Sequence, residues 1–235
     1  MTDRAYVGDE LDVFAHATRW KRYVATLLRP YIRGSVLEVG AGIGSTTRVY
    51  HNESVTRWVC LEPDGALARR IAADPPGVTV RVGTLADLEA EAGRFDTILY
   101  ADVLEHIRDD LMELSRAVRL LRPQGCIAVV APAHRFLFSP FDRAIGHYRR
   151  YDRGTLRAIA PGGVVEERIA YLDSAGMLAS ILNRLLLHSS RPTLSQILLW
   201  DRALVPVSVL LDRLLRYGVG KSIVAVWRRP AETMP

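Results

Sequence analysis

Apolar runs of strand length alternate with segments of helical periodicity along most of this chain. The runs hold few charged residues, which is typical of strands that are buried on both faces. We predict strands at 36–39, 56–61, 78–82, 95–100, 126–130, 164–170 and 222–227, helices at 9–32, 45–51, 64–73, 108–121, 155–160, 173–189 and 193–217, and a turn at 122–125. Such alternation calls for an α/β fold whose mostly parallel sheet is covered by helices on both faces.

The regular pattern lapses between Pro132 and Asp152. This stretch, the aromatic loop (residues 132–152), holds five aromatic residues among charged ones and directly follows a predicted strand. A connection of this length without regular structure is usually functional. We therefore expect the aromatic loop to wall a binding pocket.

Two apolar helical segments precede the last predicted strand. Their longest uncharged stretches are ten residues between Asp173 and Arg184 and nine residues between Arg202 and Asp212, whereas a membrane-spanning helix needs roughly 20 apolar residues. We therefore predict no transmembrane segment. The helices should pack on the domain or form a homodimer face, and the alternative is an apolar dock for a lipid-like ligand. Pro206 should kink or split the second helix.

The composition of the 235 residues fits one globular domain, with 49% hydrophobic and 24% charged residues. The net charge of +5 does not predict a nucleic-acid partner, because 29 of the 31 basic residues are arginines that are spread along the chain. No apolar stretch of signal-peptide type follows Met1, and Cys60 and Cys126 fall in predicted buried strands. We therefore expect a cytoplasmic protein with reduced cysteines.

The strongest chemical signal is a glycine-rich turn at the end of the first predicted strand. Its glycines stand at alternate positions, Gly40, Gly42 and Gly44, and Glu62 ends the second predicted strand. Glycines let a backbone approach a ligand closely, and an acid at the next strand end accepts hydrogen bonds from ribose hydroxyls. A dinucleotide site needs its third glycine or alanine five residues after the first, where this chain has Ser45. The pattern predicts a nucleoside cofactor other than NAD.

With Glu38 as its acid, this turn resembles motif I of class I S-adenosylmethionine-dependent methyltransferases, Glu/Asp-x-Gly-x-Gly-x-Gly. Residues 94–107, which end in a Leu-Glu-His turn, and residues 120–125 resemble later motifs of that superfamily in the same order. The resemblance implies a Rossmann-like domain, S-adenosyl-L-methionine as the cofactor, and a seven-stranded sheet with an antiparallel last strand. The single domain (1–235) would comprise a helical cap (1–33), a cofactor-binding core (34–132), the aromatic loop with extra apolar helices (133–220) and the last strand (221–229).

The resemblance also assigns residues to the cofactor. Glu38 and the glycine turn should hold its methionine part, Glu62 its ribose, and Asp102 should lie beside its amine. Many family members have an acid after the third strand, near the adenine amine, and this chain has Thr84 there. The full predicted set is Glu38, Gly40, Ala41, Gly42, Gly44, Glu62, Pro63, Thr84, Leu85 and Asp102.

Residues 147–151 resemble the His-x-Arg-Arg-Tyr loop of a bacterial subgroup that acts on small molecules. We predict His106 and His147 as the catalytic residues, acting as a base or as acceptor contacts. The predicted substrate-binding set is His134, Tyr148, Arg149, Arg150 and Tyr151. The two arginines could clamp an anionic acceptor, or could equally fasten the loop through ion pairs with Asp142 or Asp152. We predict no metal site, because no cluster has metal-ligand spacing, although Glu105 and His106 could contribute to one.

The implied activity is methyl transfer to a small-molecule acceptor such as a natural product, a sugar or a lipid-like compound. Oxygen is the favoured acceptor atom, with carbon or nitrogen open. Three alternatives stay open: a non-catalytic or scaffold protein that retains the cofactor fold, an NAD-dependent oxidoreductase, and a nucleic-acid methyltransferase. The glycine spacing argues against the oxidoreductase. The chain also has no Asn/Asp-Pro-Pro-aromatic tetrapeptide of the kind found in amino-methylating nucleic-acid enzymes.

Overall fold

A computed structural model describes residues 10–71, 77–186 and 193–231, and its centre is a seven-stranded sheet. The strands are β1 (Gly34–Val39), β2 (Val55–Glu62), β3 (Val78–Val82), β4 (Phe95–Ala101), β5 (Leu121–Pro132), β6 (Val165–Leu172) and β7 (Ser222–Arg228). Their order across the sheet is β3-β2-β1-β4-β5-β7-β6. β1 to β5 pair in parallel, and β7 runs antiparallel between β5 and β6. The predicted sheet, with its antiparallel last strand, is confirmed.

Helices connect these strands and flank the sheet. They are α1 (Glu10–Ala15), α2 (Thr18–Leu28), α3 (Thr47–Tyr50), α4 (Gly65–Ala68), α5 (Asp110–Leu120), α6 (Pro140–Ala144), α7 (Arg153–Ala158), α8 (Ser174–Leu186), α9 (Leu194–Leu199) and α10 (Val205–Leu214). Short 3₁₀ helices cover Leu85–Glu91, Leu104–His106 and Arg135–Leu137, and a π-helical turn, Trp200–Leu204, joins α9 to α10. The predicted extra helices before the last strand are therefore present.

Each face of the sheet has its own apolar core, because successive strand residues point to opposite faces. Leu37 and Val59 pack with α5 and α7 in one core. Val36 and Cys60 pack with α2 and the α9–α10 segment in the other. Val36 and Leu37 are neighbours on β1, and Val59 and Cys60 are neighbours on β2, so each strand contributes to both cores. This is expected for a sheet that is covered on both faces.

Three predicted boundaries differ from the structure. The single helix at 9–32 is broken at His16 and Ala17 into α1 and α2. The helix at 64–73 is reduced to α4, and part of its predicted range lies outside the described residues. The turn at 122–125 is instead an irregular start of β5, in which Gln124 has a φ of 66° and donates to the carbonyl of Arg229. Residues 122–125 therefore extend β5 because their backbone hydrogen-bonds to Arg229, directly after β7.

The second apolar segment forms one helical run from Leu194 to Leu214. Pro206 does not split it, because the π-helical turn before Pro206 accommodates a residue that cannot donate a backbone hydrogen bond. By length and composition this helix could cross a membrane: it has 21 residues, a mean hydropathy of 1.4, and 28% burial over its apolar window. The uncharged stretches counted in the sequence therefore do not decide whether this helix spans a membrane.

Two acids of this helical run turn inward to protein partners. Asp201 accepts hydrogen bonds from the backbone N–H groups of Arg19 and Trp20. Asp212 accepts from the hydroxyl of Tyr23 and is 0% exposed. A helix that crossed a bilayer would have to give up these partners and leave carboxylates in hydrocarbon, which is costly. The absence of a transmembrane segment stays a prediction, and these contacts favour it.

Candidate functional site

The glycine turn has a backbone that only glycine adopts easily. Gly40, Gly42 and Gly44 have φ angles of 65°, 57° and 73°, in the left-handed region that disfavours side chains. A Cβ on Gly40 would lie 2.7 Å from Cγ1 of Val103. The predicted glycine positions therefore form a close backbone turn at the carboxyl end of β1.

Glu62 ties this turn to the end of β2. Its carboxylate is 5% exposed and accepts from the backbone N–H of Gly42 at 2.7 Å and of Asp64 at 2.9 Å. Burial raises the pKa of Glu62 above its usual value. Pro63 beside it is exposed. The predicted ribose acid thus stands at the turn, where its carboxylate also helps to set the turn's shape.

Glu38 lies beneath the turn and faces the protein interior. One of its oxygens accepts from the hydroxyl of Thr47 and from the indole N–H of Trp58, the latter at 2.9 Å. Burial raises the pKa of Glu38 to about 7, although these hydrogen bonds oppose the rise. Glu38 therefore links β1 to β2 and to the start of α3, and it supports the turn from below.

The segment after β3 begins with a capping box that was not predicted from the sequence. Thr84 caps the 3₁₀ helix Leu85–Glu91, and both its backbone N–H and its hydroxyl donate to Asp87. Leu85 is buried, whereas Thr84 and Asp87 are exposed. Asp87, three residues after Thr84, is therefore engaged in this cap. The Thr-x-x-Asp spacing of a capping box was the available signal.

Two histidines meet beyond the carboxyl end of β4. Asp102 follows β4 with a φ of 57°, and its backbone N–H donates to the carbonyl of Val130. The rings of His106 and His147 lie edge to face, with their centroids 4.5 Å apart. Burial lowers the pKa of His106 to about 4, and His147 adds to the effect. The two predicted catalytic residues are therefore neighbours, and His106 is neutral at pH 7.

Glu105 completes a group that could hold a metal ion. Donor atoms of Glu105, His106 and His147, the Glu-His-His cluster, all lie within 4.8 Å of one another. The sequence did not reveal this cluster, because His147 is 41 residues from His106 and no local spacing indicates their contact. A donor set of two imidazoles and one carboxylate is one that zinc and related divalent ions accept.

A buried ion pair fastens the aromatic loop. Asp142 is 1% exposed and accepts two hydrogen bonds from Arg150, at 2.9 and 3.0 Å, and two from the backbone N–H and hydroxyl of Ser139. Nδ1 of His147 lies 3.0 Å from the same carboxylate. Burial alone would raise the pKa of Asp142, but these hydrogen bonds hold it below its usual value. Of the two predicted roles for Arg150, the structure favours the ion pair with Asp142.

Tyr151 is also part of this attachment. It is 1% exposed, and its hydroxyl lies within hydrogen-bond distance of the Leu104 carbonyl and the Asp110 carboxylate. The predicted substrate contact at Tyr151 is therefore wrong, because its ring belongs to the core. Arg149 pairs with Asp110 instead of the expected acids and also donates to the carbonyl of Arg108. Asp152 instead caps α7.

The remaining predicted acceptor residues differ in exposure. Tyr148 is 46% exposed and carries the guanidinium of Arg149 over its ring at 5.8 Å. His134 has a φ of 63°, and its ring stacks on Tyr171 with centroids 4.6 Å apart. Tyr148 and Arg149 therefore offer the more accessible groups, and His134 holds the base of the loop.

Comparisons with known proteins agree with this geometry. A family model for a methyltransferase domain matches residues 14–183. A probable S-adenosylmethionine-dependent methyltransferase of Mycolicibacterium smegmatis is 33% identical over 147 residues, which make up 60% of this chain and 56% of the relative. The chain thus spans little more than half the length of that curated relative.

Two solved structures are similar in fold. An S-adenosylmethionine-dependent methyltransferase from Mesorhizobium loti has a TM-score of 0.62 and 17% identity, covering 91% of this chain and 99% of that one. Geranyl diphosphate methyltransferase in complex with SAM has a TM-score of 0.64 and 17% identity, covering 97% and 93%. At this identity the likeness concerns the fold alone.

Proposed function

We infer the function from the family to which the chain belongs, the methyltransferase-domain family. We propose that it transfers a methyl group from S-adenosyl-L-methionine to an oxygen atom of a small-molecule acceptor. The glycine turn carries this proposal: three glycines of positive φ form a tight backbone turn at the end of β1, and Glu62 accepts a hydrogen bond from Gly42 at the neighbouring strand end. These features fit a nucleoside cofactor.

Different residues around the turn would bind different parts of the cofactor. The backbone of Gly40 to Gly44, supported by Glu38, would hold the methionine part. Glu62 would accept hydrogen bonds from the ribose hydroxyls, and Asp102 would stand beside the amine. The segment with Thr84 and Leu85 would contact the adenine. When bound, the cofactor supplies a methyl group on a sulfonium, which makes transfer an in-line displacement. Holding the two partners in line can supply several kcal/mol of the barrier reduction.

On the acceptor side, His106 and His147 would assist the loss of the acceptor's proton. Asp142 bonds Nδ1 of His147 and so leaves Nε2 directed to Glu105 and the cluster. Proton transfer by a positioned group contributes about 10²–10⁴-fold to rate. The exposed ring of Tyr148 and the partly exposed guanidinium of Arg149, which already pairs with Asp110, support an acceptor with an anionic group.

The exposed face of the apolar helices supports a lipid-like part in this acceptor. Large apolar side chains that are at least 43% exposed occur along α8 to α10: Leu178, Leu182, Leu194, Leu199, Val207, Leu210 and Leu214. Leu210→Glu should raise the KM for a long-chain acceptor, while Leu111→Glu on α5 should not. A homodimer through this face is the alternative, and light scattering of the two variants would reveal it as a loss of dimer in Leu210→Glu only.

Binding of labelled S-adenosyl-L-methionine tests the first half of the proposal. We expect a micromolar dissociation constant and no binding of NAD. Binding of NAD instead would overturn the proposal. An intact cofactor site without turnover on hydroxylated acceptors of varied chain length would favour the scaffold alternative. Strong, salt-dependent binding of duplex DNA or tRNA would favour a nucleic-acid substrate.

A further inference from the structure

The carboxylate of Glu105 is buried without a hydrogen-bond donor in the described part of the chain. Its exposure is 0%, and neither of its two oxygens accepts a hydrogen bond from another described residue. Buried polar groups are normally paired, and a buried charge without a partner is especially costly. An acid in such a position points to a ligand that would satisfy it.

The nearest donor atom that could share this ligand is on His147. Its Nε2 lies 3.8 Å from Oε1 of Glu105, which is too long for a hydrogen bond. Two atoms that each bind one tetrahedral ion at about 2.1 Å lie about 3.4 Å apart, which is close to this separation. The separation therefore fits a shared ion better than a direct contact.

His147 is also held in the orientation of a metal ligand. The Asp142 carboxylate bonds its Nδ1 at 3.0 Å, and Arg150 fixes that carboxylate from the other side. A carboxylate that orients an imidazole in this way usually leaves the other ring nitrogen free for an ion. His106 meets the ring of His147 edge to face and completes the donor set.

We propose that Glu105, His106 and His147 bind one divalent transition-metal ion, with zinc as the best match to two imidazoles and a carboxylate. Three protein ligands leave a fourth position open, as in catalytic zinc sites. Magnesium is a poorer match, because it prefers oxygen ligands and octahedral geometry.

The ion would deepen the proposed reaction, and this role rests on the proposed methyl transfer. An acceptor hydroxyl in the open position becomes more acidic on a divalent ion. Its proton passes to solvent, and the oxygen takes the methyl group. The bond between this methyl group and the sulfur of S-adenosyl-L-methionine breaks, and its electron pair remains on sulfur. The sulfonium thereby becomes a neutral thioether. His106 and His147 would then act as ligands of the ion and not as bases.

Calorimetric titration of the chelator-treated, full chain with zinc chloride tests the site directly. We expect one ion per chain with a micromolar or lower dissociation constant, and at least tenfold weaker binding of magnesium. Glu105→Gln keeps the shape of the side chain and should weaken zinc binding at least tenfold, as should His147→Gln. His16→Gln, an exposed histidine outside the cluster, is the matched control and should bind zinc as the parent does.

The outcomes separate the ion site from the methyl transfer. Unchanged zinc affinity in Glu105→Gln, with thermal unfolding showing a folded variant, overturns the ion site. Methyl transfer that persists at full rate in chelator also overturns it, while the proposed function stands. If Glu105→Gln loses zinc binding and the parent chain does not bind S-adenosyl-L-methionine, the ion site is supported and the proposed function is overturned.

Discussion

Replacing Arg150 by alanine removes one half of the buried ion pair that fastens the aromatic loop. Asp142 is 1% exposed and Arg150 keeps 16% of its side-chain surface, so both groups are largely removed from water. Loss of one partner leaves an uncompensated buried charge, which costs about 3–5 kcal/mol in such pairs. His147 and Ser139 still contact Asp142, so we expect the lower end, about 3 kcal/mol.

Thermal and urea unfolding measure this cost. In a chain of this size each kcal/mol lowers Tm by about 2–4 °C, so Arg150→Ala should melt roughly 6–12 °C below the parent. Arg143→Ala is the matched control, because Arg143 is an exposed arginine of the same loop. Surface substitutions of this kind change stability by about 0.5 kcal/mol or less. A double variant with Asp142→Ala should recover part of the loss, because no unpaired carboxylate remains.

The opposite result would refute the role of Arg150 as a fastener. Suppose that Arg150→Ala had the same Tm as Arg143→Ala and raised the acceptor's KM at unchanged cofactor affinity. The guanidinium of Arg150 would then be an acceptor ligand. The carboxylate of Asp142 would then be satisfied by its other partners.

Three further predictions concern the cofactor turn. Glu62→Ala should weaken S-adenosyl-L-methionine binding by about 1.5–3 kcal/mol, or roughly 10- to 150-fold, and calorimetry with unchanged affinity would assign the ribose to another group. Gly40→Ala should abolish cofactor binding and lower Tm, since its Cβ would lie 2.7 Å from Val103. Burial raises the pKa of Glu38 to about 7, so the folded chain binds more protons than the unfolded chain between its unfolded pKa of about 4.3 and pH 7. Stability should therefore fall as pH rises through this window, and Glu38→Gln should flatten the slope of Tm against pH.

The sheet and its cofactor edge could be predicted because their signals are local. The apolar runs of β1 to β5 are bounded by their own sequence, and the glycines at the end of β1 need a backbone that no other residue adopts easily. Their parallel pairing is then expected, because helical segments of crossover length separate them. The alternation of strands and helices therefore predicts the sheet, and the glycine spacing predicts the turn at the end of β1.

The attachment of the aromatic loop could not be predicted in full, because its partners are set by the folded chain. Arg149 finds Asp110, and the hydroxyl of Tyr151 finds the same carboxylate, each about forty residues away. The sequence pattern around these residues does not indicate either contact. Aromatic and basic residues in a loop suggested a pocket wall, but Tyr151 uses its ring to fill the core.

The apolar helix shows a local rule overridden by its surroundings. Proline usually breaks a helix, yet the π-helical turn before Pro206 keeps the run continuous. The charges at Asp201 and Asp212 interrupted the apolar pattern in the sequence. In the structure both turn to the domain, so the opposite face stays largely apolar along its length.

The contact between Asp201 and α2 bears on the order in which this protein completes its fold during synthesis. The residue at the start of α2, Ala17, gives no side-chain cap, and the amides of Arg19 and Trp20 are satisfied by Asp201, 181 to 182 residues later. At about 5–20 residues per second, a ribosome takes roughly 10–40 s to deliver that acid. Until then the start of α2 lacks its cap, and Trp20 lacks its partner ring on Trp200. The start of α2 is therefore synthesised early and is capped only after Asp201 has been made.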